Sequence, residues 1–172
     1  MEIALIGQGA VEAMLLIIWH SRTGTAEAMA RAAYQGALIE GPCVLTRAED
    51  ATVAHLLNAS AYLFCCPENL AGMTGLMKEF FDRTYYPLLG RIEGRAYATM
   101  IAAGTDGTGA QRQIDRIATG WRLRRVAEPL IVQTGAQTPA DMLAHKNLSD
   151  ETLRMCCDMG PALTGGIGLG VF

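Results

Sequence analysis

Charge is scarce in this chain of 172 residues. Charged residues make up 18% and hydrophobic residues 51%, and the formal net charge is −3. Composition of that kind excludes a disordered segment and implies a sizeable buried core. The pI near 5.6 leaves no basic stripe of the sort a nucleic-acid surface requires. Long apolar runs are also missing, and none approaches the roughly eighteen residues of a membrane-spanning helix. Glu2 stands where a secretory signal would carry positive charge, which argues against export. The five cysteines, Cys43, Cys65-Cys66 and Cys156-Cys157, include no C-x-x-C spacing and are odd in number. They fit neither a disulfide framework nor a zinc site, and read instead as buried, reduced thiols in a cytoplasmic protein. His20, His55 and His145 lie in unrelated segments and compose no metal set, nor is there a Ser-His-Asp arrangement. No repeat or low-complexity linker divides the chain, so residues 1–172 are expected to form one domain.

What is present is an alternation of apolar strands and helix-forming stretches. Residues 1–13 contain Gly7-Gln8-Gly9, the start of a dinucleotide fingerprint, but Glu12 occupies the place of the third glycine. A new strand begins near Met14, so no helix fits after that motif. The segment is read as an N-terminal extension, a short extra strand or irregular, with Met14 a candidate natural start. The first strand is about Leu15–His20, followed by a helix to about Gly36, where Gly36 and Gly41-Pro42 are stop and turn signals. Cys43–Thr46 is the second strand, and Asp50 or Thr52 caps a helix through Val53–Leu57. Ala61–Cys66, apolar throughout, is a central third strand. A loop over Pro67–Gly75 leads to a helix from Leu76 to Arg83, stopped near Pro87. Tyr97–Ala103 is the fourth strand, and a long helix with Ile114, Ile117 and Ala118 on one face runs to about Leu123. Pro129–Thr134 is the fifth strand, and a last helix spans Ser149 or Asp150 to Met159. The tail over 165–172 is too rich in glycine for a regular element. Strands alternating with helices in this way predict an α/β fold with a parallel sheet covered on both faces.

Three loops draw attention, because each follows a strand at the edge where α/β sheets bind ligands. Ser21-Arg22-Thr23-Gly24-Thr25-Ala26 joins a buried strand to a helix. Free backbone N–H groups and the helix dipole at such a junction suit a phosphate, with Ser21, Thr23 and Thr25 adding hydroxyl donors. An ordinary helix cap made of the same residues is the alternative. The second loop is Pro67-Glu68-Asn69-Leu70-Ala71-Gly72-Met73, and the third is Gly104-Thr105-Asp106-Gly107-Thr108-Gly109-Ala110. Asp106 invites a catalytic role, although Thr105 or Asp106 capping the next helix explains it as well. Lys78, Arg83, Arg122, Arg124 and Arg125 read as solvated charges.

From Met14 to Val132 the chain resembles the flavodoxin-like family, in particular its FMN reductase and NAD(P)H:quinone oxidoreductase branch. The resemblance rests on the Ser-x-Thr-Gly-x-x loop at Ser21–Ala26 and on Pro67 followed by Met77, Lys78, Phe80 and Asp82. It implies a doubly wound five-stranded parallel sheet in the order 2-1-3-4-5, with FMN at the strand ends. Ser21, Arg22, Thr23, Gly24, Thr25 and Ala26 would hold the FMN phosphate. Pro67, Glu68, Asn69, Leu70, Ala71, Gly72 and Met73 would line one side of the isoalloxazine ring. Gly104, Thr105, Asp106, Gly107, Gly109 and Ala110 would cover its other side.

Departures from the family pattern are also legible. Ala26 stands where flavodoxins usually carry threonine, and neither ring-lining loop contains an aromatic residue. Leu70 and Met73 are candidates to pack on the ring instead, and Tyr85 and Tyr86 either border the same pocket or pack at a helix end. The resemblance implies NAD(P)H as electron donor, a quinone, flavin or similar small molecule as acceptor, and a homodimer or homotetramer. It assigns no catalytic side chain, because hydride chemistry belongs to the flavin. A flavodoxin that only carries electrons is the alternative, though such carriers are usually strongly acidic, and a net charge of −3 is modest. A flavin-free receiver module would need acidic residues where His20-Ser21 stand.

Overall fold

The computed structural model describes residues 13–172; the expected N-terminal extension lies outside them, apart from its last residue. Strand β1 (Leu15–Trp19) is buried along its whole length. Helix α1 (Thr25–Glu40) follows, then β2 (Cys43–Arg47), α2 (Val53–Asn58) and β3 (Ala61–Asn69). A two-residue strand β4 (Gly72–Met73) precedes α3 (Gly75–Leu88), β5 (Ala96–Ala103) and α4 (Thr108–Gly120). The chain ends with β6 (Arg124–Arg125), β7 (Leu130–Gln133), a short helix α5 (Pro139–Leu143) and a long helix α6 (Asp150–Gly168).

The sheet runs β2-β1-β3-β5, all parallel, with β6 and β7 pairing successively along the free edge of β5. The α/β expectation therefore holds; the anticipated fifth strand is β7, and the two-residue β6 ahead of it on the same edge was not expected. Pro129 lies between them and has no N–H to continue a ladder.

Side-chain alternation divides the core in two. Leu16 and Ile18 of β1, Tyr62, Phe64 and Cys66 of β3, and Tyr97 and Ile101 of β5 join Phe80, Phe81 and Trp121 on one face. Leu15, Ile17, Trp19, Leu63, Cys65, Ala98 and Met100 point to the other, where they meet Ala26, Ala30, Ala33 and Ala37 of α1 and Leu163 of α6. Burying each large apolar side chain contributes about 1.5–3 kcal/mol. Aromatic rings fill the first face, with Phe64 and Phe81 centroids 5.1 Å apart. Small residues let helices approach closely on the second.

That close approach corrects two readings of glycine. Gly36 does not stop α1, which runs on to Glu40. A Cβ at Gly36 would collide with the Cys157 carbonyl, and one at Gly160 with backbone of Ala33 and Ala37, so these glycines are contact points between α1 and α6. The C-terminal tail is likewise helical as far as Gly168, because Leu163, Thr164 and Ile167 are buried and outweigh the low propensity of its glycines. Gly36 faces Cys157 and Pro161 while Gly41 faces Thr164, so α1 and α6 run parallel and begin at the same edge of the sheet.

All five cysteines are free thiols, four of them buried. Burial pushes Cys43 and Cys66 up to about 12, which leaves them inert. Among the described residues no helix is long and apolar enough to cross a membrane, and no group of three or more potential metal ligands occurs.

Candidate functional site

At the carboxyl end of β1, the His20 N–H donates to the Cys65 carbonyl at 3.0 Å, which ties the strand end to β3. The chain then enters the loop Ser21–Gly24. Ser21 Oγ accepts the Gly24 N–H at 3.0 Å, and Gly24 takes a left-handed conformation, φ 94° and ψ −19°. Such a backbone favours glycine, which has no Cβ to clash. Gly24 is the N-cap of α1, and no side chain caps the helix. The capping alternative for this loop is thus not realised. Thr25, the first residue of α1, is 4% exposed, and its Oγ1 is the one buried side-chain polar atom without a partner among the described residues. Ser21 and Thr23 are half-buried, Arg22 is exposed and Ala26 is buried in the core.

The loop after β3 is more regular than its sequence suggests. β3 continues through Asn69, and Glu68 and Asn69 pair with Met73 and Gly72 in an antiparallel hairpin. Its tip is Leu70-Ala71, with φ 52° and 60°. Positive φ at both central residues is the requirement of a type I′ turn; each non-glycine residue there costs about 1–3 kcal/mol and persists only where its surroundings enforce it. Here they do. The Met73 N–H donates to Gln113 Oε1 at 2.9 Å, and the Ala71 carbonyl packs on the bare face of Gly109. Leu70 stands 95% exposed, while Met73 is buried in the core.

Glu68 joins this hairpin to the loop after β5. Its Oε1 accepts the Gly107 N–H at 3.0 Å and its Oε2 accepts the Ala110 N–H at 3.0 Å. Gly107, not Thr105 or Asp106, is the N-cap of α4, with φ 97° and ψ −14°. Asp106 instead accepts from the Thr108 N–H and hydroxyl. Two of the amides expected to face a ligand are therefore occupied by a carboxylate of the protein itself. Gly104 lies against the Ala136 carbonyl, and Thr105 and Asp106 are exposed.

His20 connects the first loop to the second. Its Nδ1 is 2.8 Å from Thr74 Oγ1 in a buried hydrogen bond. That bond diverts the Thr74 hydroxyl, so α3 starts at an N-cap with no side-chain cap. Burial holds the His20 pKa below its ordinary value; Glu49 opposes this, and Arg22 and Arg47 act with it. His20, Arg22, Thr74, Gly75 and Leu76 line an open cleft of about 530 Å³. The cavity lies between the N-termini of α1 and α3, where the winding of the sheet reverses.

Three residues that the sequence reading passed over belong to this region. His20 was read as a strand end; its place directly before the hydroxyl loop was the available signal. Thr74 became visible only through its bond to His20. His145, from the connector between α5 and α6, packs on Gly24: a Cβ there would lie 3.1 Å from His145 Cδ2 and 3.2 Å from Nε2. Nothing local in the sequence marks that contact. Tyr85 and Tyr86 border a different cavity, with Lys78, Phe81, Asp82 and Ile117, and Tyr85 stacks on Trp121 at 5.7 Å. Of the basic residues, Lys78 pairs with Asp82, Arg122 with Glu93 and Arg125 with Asp115. Arg83 pairs with Glu79 and donates to the Ala48 carbonyl at 2.7 Å, which fixes α3 to the β2–α2 turn.

No protein-family model matches the chain, and no curated protein matches it. Solved structures do. A flavodoxin from the domain Archaea superposes with a TM-score of 0.72 at 16% identity, over 90% of this chain and 98% of that one. A WrbA-like flavodoxin from Agrobacterium tumefaciens gives 0.67 at 18% identity, over 92% and 98%. The flavodiiron core of Flv1 from Synechocystis gives 0.74 at 15% identity, over 95% of this chain but 38% of its own. The fold is flavodoxin-like.

Proposed function

We propose that the chain is an FMN-dependent oxidoreductase that takes electrons from NAD(P)H and delivers them to a quinone, a free flavin or a similar small acceptor. The observation that carries this reading is the unfilled N-terminus of α1. It combines a left-handed glycine, an uncapped helix dipole and a buried Thr25 hydroxyl without a partner. A phosphate monoester satisfies all three: it accepts from backbone N–H groups and hydroxyls, and its negative charge is stabilised by the dipole. The chemistry of the donors therefore fits the phosphate of FMN.

Ser21, Thr23 and Thr25 hold the phosphate together with the loop amides, and Ala26 contributes backbone only. The cavity beside His20 and Thr74 gives the remainder of the cofactor a place to extend, and the loops Pro67–Met73 and Gly104–Ala110 orient its ring. Bound FMN supplies the hydride and electron transfer, so the protein's share is binding, orientation and exclusion of water. His20, held by its bond to Thr74, lines the same space. A dimer or tetramer of this chain and a cytoplasmic location belong to the same proposal.

Titration of the purified protein with FMN, followed by anaerobic NAD(P)H, tests the reading. The expected result is a yellow complex that NAD(P)H bleaches. Replacing Ser21 and Thr23 together by alanine should weaken FMN binding at least about tenfold, roughly 1.4 kcal/mol. A protein that takes up no FMN refutes the proposal. FMN uptake without NAD(P)H oxidation would instead favour an electron carrier.

A further inference from the structure

We propose that His145 is a ligand of the phosphate group, packing on the α1 loop at Gly24. The inference rests on the FMN reading above and adds a residue from a distant part of the chain. Its basis is the contact with Gly24. The imidazole sits against Gly24 where another residue would carry its side chain, with Nε2 3.2 Å from the place a Cβ would occupy.

Tertiary structure brings the ring there for definite reasons. Helices α1 and α6 run parallel and pack through Gly36 and Gly160, so the N-terminus of α6 is level with that of α1. The connector that leads into α6 must then pass the α1 loop. It is anchored at both ends. Thr138 caps α5 by accepting the Asp141 N–H, and Ser149 caps α6 by accepting the Thr152 N–H at 3.1 Å. Between them Lys146 Nζ donates to the carbonyls of Asp141, Met142 and Ala144, which shapes the backbone next to His145.

His145 itself is exposed, and neither ring nitrogen bonds to another described residue. An imidazole used only for packing would gain little at an exposed position. One placed beside an uncapped helix N-terminus with an orphaned hydroxyl supplies a further donor to the same anion, partly in place of the threonine hydroxyl absent at Ala26. Glycine at 24 then serves two ends, the left-handed turn and the admission of the ring.

The discriminating experiment compares FMN with riboflavin, which lacks the phosphate, on the native protein and on His145→Ala and His145→Gln. The proposal expects His145→Ala to weaken FMN about tenfold and to leave riboflavin within twofold, so that the FMN preference shrinks. His145→Gln, which keeps a donor, should recover much of that preference. An unchanged FMN affinity, or equal losses for FMN and riboflavin, overturns the role of His145 while leaving the FMN reading intact. A native protein that binds neither flavin removes the FMN reading and this proposal with it.

Discussion

Two helices of this protein begin almost identically and end up with different fates. α1 starts after Gly24 at φ 94°, ψ −19°, and α4 after Gly107 at φ 97°, ψ −14°. Both glycines precede threonine, and in neither helix does the N-cap residue supply a side-chain cap. At α4 the Glu68 carboxylate arrives from the β3–β4 hairpin and accepts from Gly107 and Ala110. At α1 no carboxylate arrives among the described residues, and Thr25 Oγ1 has no partner among them. The same backbone device thus occurs once filled by a carboxylate of the protein and once without one among the described residues. α4 shows what the geometry does with an anion, and under the proposal above α1 is the copy of it that takes a ligand.

Substituting the paired glycines should give the largest contrast. Gly107→Ala places a Cβ at positive φ and 2.5 Å from Ile131 Cγ2, and should cost about 2–4 kcal/mol in urea unfolding. Gly24→Ala meets only the exposed His145 ring, which can turn aside, and should cost about 1 kcal/mol while impairing FMN binding. Equal losses of stability would mean that the two junctions are not distinguished by their surroundings.

Glu68→Gln comes next. It preserves shape but removes the charge at the α4 dipole, and should lower stability by about 1–2 kcal/mol. A neutral result would show that the carboxylate merely occupies space.

Smallest, and opposite in sign, is Thr25→Val. Removing a buried hydroxyl that has no partner should raise the stability of the flavin-free protein by up to about 1 kcal/mol, yet weaken FMN. If the flavin-free variant were less stable than the native protein, the hydroxyl would have an internal partner and the comparison with α4 would fail.

The legible parts of the fold were those set by local patterns. Unbroken apolar runs at Leu15–Trp19 and Ala61–Cys66 marked buried strands, and the structure shows Leu16 and Ile18 in one core and Leu15 and Ile17 in the other. Thr52 capped α2 as its position suggested, with His55 completing a capping box. Glycines were read less well. Gly36 and the C-terminal glycines looked like helix breakers because propensity is a local quantity, whereas their role is to let α1 and α6 touch.

The opening residues Ser21–Ala26 were identifiable from the sequence as a strand-to-helix loop rich in hydroxyls. Whether they cap a helix or suit an anion was not, since serine and threonine serve both purposes. Which of their polar groups find a partner within the protein depends on residues far away in the chain. Glu68, 39 residues from Gly107, fills one helix end, and among the described residues no carboxylate does so at the other. His145 meets Gly24 only because α6 packs alongside α1. Sequence fixes backbone preference and burial period through neighbouring residues; which polar groups are left over depends on contacts that form only when the chain has closed on itself.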